Sequence, residues 1–139
     1  MSDVATRFFA TAAILALIGM GWGIQMSATQ DHTLSPAHGH LNLIGFVAMS
    51  VFGAYYALTP RAAASRLAGL HFALTLIAVA VLIPGIVLAI TERGEAVAKI
   101  GSVLAVLAMA LFLVVVLRFG AGQRPDHGAR DRIEARQST

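Results

Sequence analysis

Four long apolar stretches follow one another along the chain, at residues 7–29, 36–58, 67–90 and 96–119. Each has about the 17–25 residues that a helix needs to cross a bilayer. Because an open strand in lipid would leave backbone groups without hydrogen bonds, the pattern predicts helices in all four stretches. The connections are short, so successive helices must neighbour one another and run antiparallel. The sequence therefore predicts an all-α fold, a four-helix transmembrane bundle in up-down-up-down order.

The composition is typical of a membrane protein. Of the 139 residues, 58% are hydrophobic and 12% are charged, whereas soluble domains have about 45–50% apolar and about 25% charged residues. The chain has no cysteine, which excludes disulfides, thiolate metal sites and heme attached covalently through a C-x-x-C-H motif. Its basic residues are scattered at helix ends and are not clustered with aromatic residues, so nucleic acid is not an expected partner.

The distribution of arginines predicts an orientation in the membrane. Arg61 and Arg66 lie in the second connection and several arginines follow the last span, whereas the first connection has no lysine or arginine. By the positive-inside rule, both termini are predicted to be cytoplasmic, and the first and third connections to face outward. We expect residues 1–119 to form the membrane domain and residues 120–139 a polar cytoplasmic tail, in the cytoplasmic (inner) membrane of a bacterium.

The candidate chemistry lies in five histidines, His32, His38, His40, His71 and His127. Ionisable side chains at membrane depth are costly, so the histidines that open the second span, His38 and His40, are the functional candidates. We interpret His32 as a loop residue and His127 as a residue of the solvated tail. His71 opens the third span at the other membrane face, too far away to join the pair. We interpret it as an interfacial or capping histidine near Arg66.

His38 and His40 point about 200° apart on a helix, and so address different neighbours. Neutral imidazole binds heme iron, copper and zinc. Gly39 leaves room for a flat ligand, and Asn42, four residues after His38, is placed to support a ligand through a hydrogen bond. The pattern also fits a polar cluster that only packs helices.

Residues 37–60, AHGHLNLIGFVAMSVFGAYYALTP, resemble the heme-bearing helices of subunit I of the heme-copper oxidase superfamily, including its nitric oxide reductase branch. The shared features are an H-x-H pair at the outer end of a helix, a small and apolar run, and Tyr-Tyr followed by Leu and Pro. The sequence His40-Leu41-Asn42 is similar to the family's second helix, and His38-Gly39-His40 to its tenth.

The resemblance implies an integral membrane protein that binds heme b, with His40 as the main axial ligand and His38 as a second ligand. Its role would be electron transfer, with a redox partner, or chemistry on oxygen or nitric oxide. The copper-binding histidines of the family's sixth and seventh helices have no counterpart, so enzymatic activity as an oxidoreductase stays an open question.

The resemblance also implies an assembly. Subunit I has twelve helices in three four-helix arcs, and this chain is one arc long, so we expect a homotrimer in which His38 of one protomer and His40 of the next hold one iron. The rival is a two-fold dimer that pairs His40 with His40. Small residues along the second span, such as Gly45 and Gly53, would permit the close approach of protomers.

Three other classes of function remain as alternatives. A membrane protein that binds or transports copper or zinc would use Asp31, His32, His38 and His40. A heme or gas sensor would need a partner that binds the arginine-rich tail and responds to its state. A non-catalytic assembly protein would bind nothing, and its histidines would be polar groups within the packing.

Overall fold

A computed structural model of the protein describes residues 3–122, and these residues contain no strand. Four long helices account for most of them: α1 (Val4–Thr29), α2 (Ser35–Leu58), α3 (Arg66–Ile90) and α4 (Ala96–Phe119). All four are long and apolar enough to cross a membrane. The predicted all-helical fold, with four helices of the length and apolar composition that a membrane span needs, is therefore confirmed for the described residues. The predictions for His127 and for most of the tail fall on residues 123–139, outside the described part of the chain.

The predicted spans agree with the helices to within three residues at every end. Helix α1 ends where Gln30 adopts a left-handed conformation with φ of 56°. Helix α2 ends at Leu58, because the proline two residues later cannot donate to a continuing helix. A single helical turn, Pro60–Ala63, then leads into α3. These local signals explain why the sequence placed the helix ends well.

Helices α1 and α2 pack antiparallel through two glycines of α2. A Cβ added to Gly45 would lie 3.0 Å from Leu15, and one added to Gly53 would lie 3.2 Å from Phe8 and Phe9. Both glycines thus serve packing within one chain. The expectation that Gly45 and Gly53 permit the close approach of a second protomer is therefore wrong, because α1 already occupies that face of α2.

Helices α3 and α4 pack antiparallel and even closer. A Cβ added to Gly85 would lie 2.5 Å from the Ala98 backbone nitrogen, and one added to Gly101 would lie 2.5 Å from Cα of Leu82. Two backbones can approach this closely only where a side chain is missing, which is the usual role of glycine between membrane helices. Phe112 of α4 also reaches α2, where its ring lies 4.5 Å from that of Phe52.

Helix α2 is not uniform along its length. Ser35–His40 is α-helical, Leu41–Ala48 is π-helical, and Met49–Leu58 is α-helical again. The hydrophobic pattern gave no sign of this change, because a segment that is apolar except for Asn42 has the same appearance in either geometry. The π-helical segment begins directly after His40, and such segments occur frequently at functional sites.

Candidate functional site

The antiparallel packing places different chemistry at the two ends of the molecule. We call one end the histidine-pair end: it comprises the 30–34 and 91–95 connections and the first turn of α2, with His38 and His40. We call the other the arginine end, because it carries four exposed arginines: Arg7, Arg61, Arg66 and Arg118.

His40 presents one ring nitrogen to its surroundings. Its side chain is exposed, and its Nδ1 lies 2.7 Å from the carbonyl oxygen of Pro36, one turn earlier in the same helix. A carbonyl can only accept, so Nδ1 carries the proton. In the neutral imidazole Nε2 then holds a lone pair, and no residue among 3–122 hydrogen-bonds to it. This is the arrangement that metal-ligating histidines use, in which the second nitrogen is held by a backbone carbonyl.

His38 faces the opposite way, into the protein. It is half-buried against α1, where its Nε2 donates to the carbonyl oxygen of Gly19 at 3.0 Å. The ring also meets the edge of Trp22, with 6.1 Å between the centroids, and a Cβ on Gly23 would lie 3.2 Å from Nε2. The predicted divergence of the two histidines is thus present, and it assigns them different environments: His38 lies between helices and His40 lies on the surface.

Asn42 and Gly39 complete this end of α2. The Asn42 side chain donates from Nδ2 to the backbone carbonyl of His38 at 2.9 Å. It therefore fixes the helix backbone at the histidine pair and does not bond to either imidazole. Its amide also fills the space left by the missing side chain of Gly19. Gly39 is exposed, and a Cβ there would meet nothing within 4 Å, so the surface beside His40 is open.

Asp31, the carboxylate nearest to the pair in sequence, is held by its own loop. Hydrogen bonds from the Thr33 hydroxyl and from the Thr33 N–H, the latter at 3.0 Å, lower the pKa of Asp31. Residues 3–122 contain no group of three or more His, Asp or Glu residues placed to hold a metal ion. Asp31, His32, His38 and His40 are therefore not brought together as the copper or zinc alternative requires of a single chain.

His71 lies in a buried aromatic cluster near the arginine end. The interpretation of His71 as an interfacial or capping residue is wrong, because its side chain is 0% exposed. The ring stacks on Phe112 at 5.4 Å and contacts Phe52 at 4.6 Å and Phe8 at 5.3 Å. Burial arises because three helices, α1, α2 and α4, each place an aromatic ring against this turn of α3.

The polar atoms of His71 are only partly satisfied. The Tyr56 hydroxyl lies 3.0 Å from Nδ1, and Thr75, one turn later, donates to the His71 carbonyl at 2.8 Å. Nε2 is buried with no hydrogen-bond partner among the described residues. The sequence held a signal for this pair: Tyr56 lies in the last turn of α2 and His71 in the second turn of α3, so a short connection between antiparallel helices puts them at a similar depth.

Comparisons with protein-family models, with curated proteins and with solved structures found no match for the chain. The fold alone defines the class: an all-helical protein with four helices long and apolar enough to span a membrane. The resemblance of residues 37–60 to heme-copper oxidase helices stays a prediction. The cofactor-binding roles of His38, Gly39, His40 and Asn42 stay predictions as well.

Proposed function

We propose that the chain is a multi-pass membrane protein that binds heme b, with His40 as the main axial ligand. The observation that carries the proposal is the orientation of the His40 ring. Its Nδ1–H is bound to the Pro36 carbonyl at 2.7 Å, and its exposed Nε2 is left as a lone-pair donor. The heme is of b type because the chain has no cysteine to form a covalent attachment.

The surface around His40 fits a flat apolar cofactor. Leu43, Phe46 and Val47 follow within two turns on the same helix and are exposed, and the side chain missing at Gly39 leaves open space. These residues would pack against the macrocycle and exclude water from it, while the Pro36 carbonyl keeps the imidazole in one tautomer and one orientation. The resemblance of residues 37–60 to heme-bearing helices supports the same assignment.

Heme iron supplies one-electron transfer or the binding of a diatomic gas such as oxygen or nitric oxide. We propose a redox role of this kind, with a separate protein as the electron-transfer partner. The apolar surroundings of His40 would tune the reduction potential of the iron. The relation proposed to heme-copper oxidases is limited to one arc of subunit I, without the copper site.

We further propose that the helices cross the bacterial cytoplasmic membrane up-down-up-down, with both termini inside. The four exposed arginines of the arginine end support this orientation. Reporter fusions after Leu58 and after Phe119 should score as cytoplasmic, and fusions near His32 or Gly94 as external. An external score after Phe119 would contradict the orientation and would move the histidine pair to the cytoplasmic side.

We propose two alternative homo-oligomers, a trimer and a dimer. The homotrimer implied by the resemblance places His38 of one protomer and His40 of the next on one iron. To ligate the iron through Nε2, His38 would have to give up its hydrogen bond to Gly19. The dimer that pairs His40 with His40 leaves that bond in place.

The test of heme binding is an absorption spectrum of the full chain, purified in mild detergent and loaded with hemin, oxidised and then reduced. We expect a b-type spectrum that His40→Ala abolishes and that His71→Ala and His127→Ala retain. Full heme retention by His40→Ala would contradict the ligand role. Bound copper or zinc without a Soret band would instead favour the metal-transport class, and an unliganded protein would favour the assembly class.

A further inference from the structure

We infer that the heme bound at His40 is held between two copies of this chain, with His40 of each copy as the two axial ligands. The inference rests on the proposed function and goes beyond it, because it names the partner and the residue that complete the site. One heme would then serve two chains, and the site would not exist in a single protomer.

The first argument is that neither His38 nor His71, the other two histidines on the long helices, offers a second ligand next to His40. His38 points into the groove with α1, where Gly19 and Trp22 surround its ring. His71 is fully buried beside Tyr56. Tyr56 lies on α2, sixteen residues after His40. At 1.5 Å per residue this is roughly 24 Å along the helix. A second ligand for the iron therefore does not come from His38 or His71 of the same chain, and His40 of a second copy supplies one.

The second argument is that the surface around His40 can pack against the same surface of a second copy of the chain. Helix α2 has no Asp, Glu, Lys or Arg between Ser35 and Leu58, so two α2 helices can approach without repulsion between like charges. The side chains exposed next to His40, Leu43 and Val47, are apolar. In a two-fold dimer the same patch lies on both sides of the interface, so the two His40 side chains face each other when the two-fold axis passes beside His40.

The third argument separates this pairing from the trimer. A three-fold ring is built from two different surface patches, so His40 would meet a different residue of the next protomer, which the resemblance makes His38. Nε2 of His38 already donates to the Gly19 carbonyl at 3.0 Å, and Asn42 fixes the His38 carbonyl at 2.9 Å. The pairing of two His40 side chains uses Nε2, which has no hydrogen-bond partner among the described residues, and it leaves the bond between His38 and Gly19 in place.

The experiment compares the wild-type chain with two variants of His38 and one of His40. The full chain is loaded with hemin in mild detergent, and three quantities are measured: the heme-to-protein ratio, the mass by native mass spectrometry, and the spin state by electron paramagnetic resonance. His38→Ala removes the ring. His38→Gln keeps an N–H that can donate to Gly19 but is a poor iron ligand, so it separates folding from ligation. His40→Gly leaves a gap that free imidazole can fill.

We expect low-spin heme in a dimer, at one heme per two chains, in the wild type and in His38→Gln. In His40→Gly we expect the low-spin signal to fall at least tenfold and to return when imidazole is added. A trimer with one heme per chain whose low-spin signal is lost in His38→Gln would overturn the inference, and so would high-spin heme on a monomer. Both results leave the proposed function standing. A wild-type chain that takes up no heme would instead refute the proposed function itself.

Discussion

His40 and His71 lie on the same four-helix fold and use their ring nitrogens in opposite ways. His40 is exposed, its Nδ1 is held by its own helix, and its Nε2 has no hydrogen-bond partner among the described residues. His71 is fully buried, its Nδ1 meets the Tyr56 hydroxyl, and its Nε2 is enclosed without a partner. A histidine at membrane depth is thus not a ligand by its position alone. What distinguishes the two is whether a free nitrogen can be reached.

The contrast leads to an expectation about energetics. His40 belongs to the surface, so its loss should remove a cofactor and leave the stability of the fold unchanged. The cluster around His71 belongs to the interior, so its loss should lower stability and leave the cofactor in place. The free energy of unfolding can be followed in mixed micelles by circular dichroism, and the fluorescence of Trp22, the single tryptophan, reports on the histidine-pair end.

The largest effect is expected for Phe8→Ala. Phe8 is 0% exposed and contacts Phe52, Phe72 and Tyr56 as well as His71. Its truncation leaves a cavity in the cluster, and we expect the free energy of unfolding to fall by about 3–5 kcal/mol. The matched control is Phe9→Ala, at the next position, because that side chain is 44% exposed. Equal losses for the two variants would show that the cluster does not organise the interior.

A smaller effect is expected for Gly19→Ala, which tests how His38 and Asn42 are seated against α1. The new Cβ would lie 2.5 Å from Oδ1 of Asn42, so the amide must move. We expect a loss of about 1–3 kcal/mol, as is usual when a packed site is overfilled, together with a change in Trp22 fluorescence. Gly21→Ala is the control, since its Cβ would meet nothing within 4 Å. A neutral result for Gly19→Ala would mean that Asn42 is not needed in this position.

Tyr56→Phe is expected to have an effect of similar or smaller size. It removes the hydroxyl 3.0 Å from Nδ1 of His71. The buried His71 imidazole is then left without a hydrogen bond to either of its nitrogens. The expected loss in the free energy of unfolding is about 1–3 kcal/mol, with unchanged heme content per folded chain. A drop in heme content without a loss of stability would show that the His71 cluster affects heme binding at His40. It would contradict the separation of the two histidines into a binding role and a packing role.

The smallest effect is expected for His40→Ala in the heme-free protein. The side chain is exposed, and its hydrogen bond is to a carbonyl of its own helix. We expect a change within about 0.5 kcal/mol, which is typical of surface positions. A loss well above 1 kcal/mol would assign His40 to packing within the chain and would weaken its assignment as a ligand.

The helices and their ends could be predicted because the signals are local. Prolines, charges and the length of each apolar run are visible in the sequence, and they placed all four spans. The environments of the histidines could not be predicted, because burial depends on residues far away in sequence. His71 is enclosed by Phe8 and Phe112, which lie on other helices. Likewise, only the packing of α1 shows that Gly19 is the partner of His38.

The π-helical segment Leu41–Ala48 bears on how a chain of this kind can diverge over generations. In a plain α-helix, the loss of one residue rotates everything beyond it by about 100°. A π-helical segment can absorb such a deletion by returning to α-helical geometry. Because His40 lies before the segment and Tyr56 lies after it, a deletion that the segment absorbs leaves both the direction of His40 and the contact between Tyr56 and His71 unchanged. The helix between the exposed histidine and the buried aromatic cluster can thus lose a residue without turning one relative to the other.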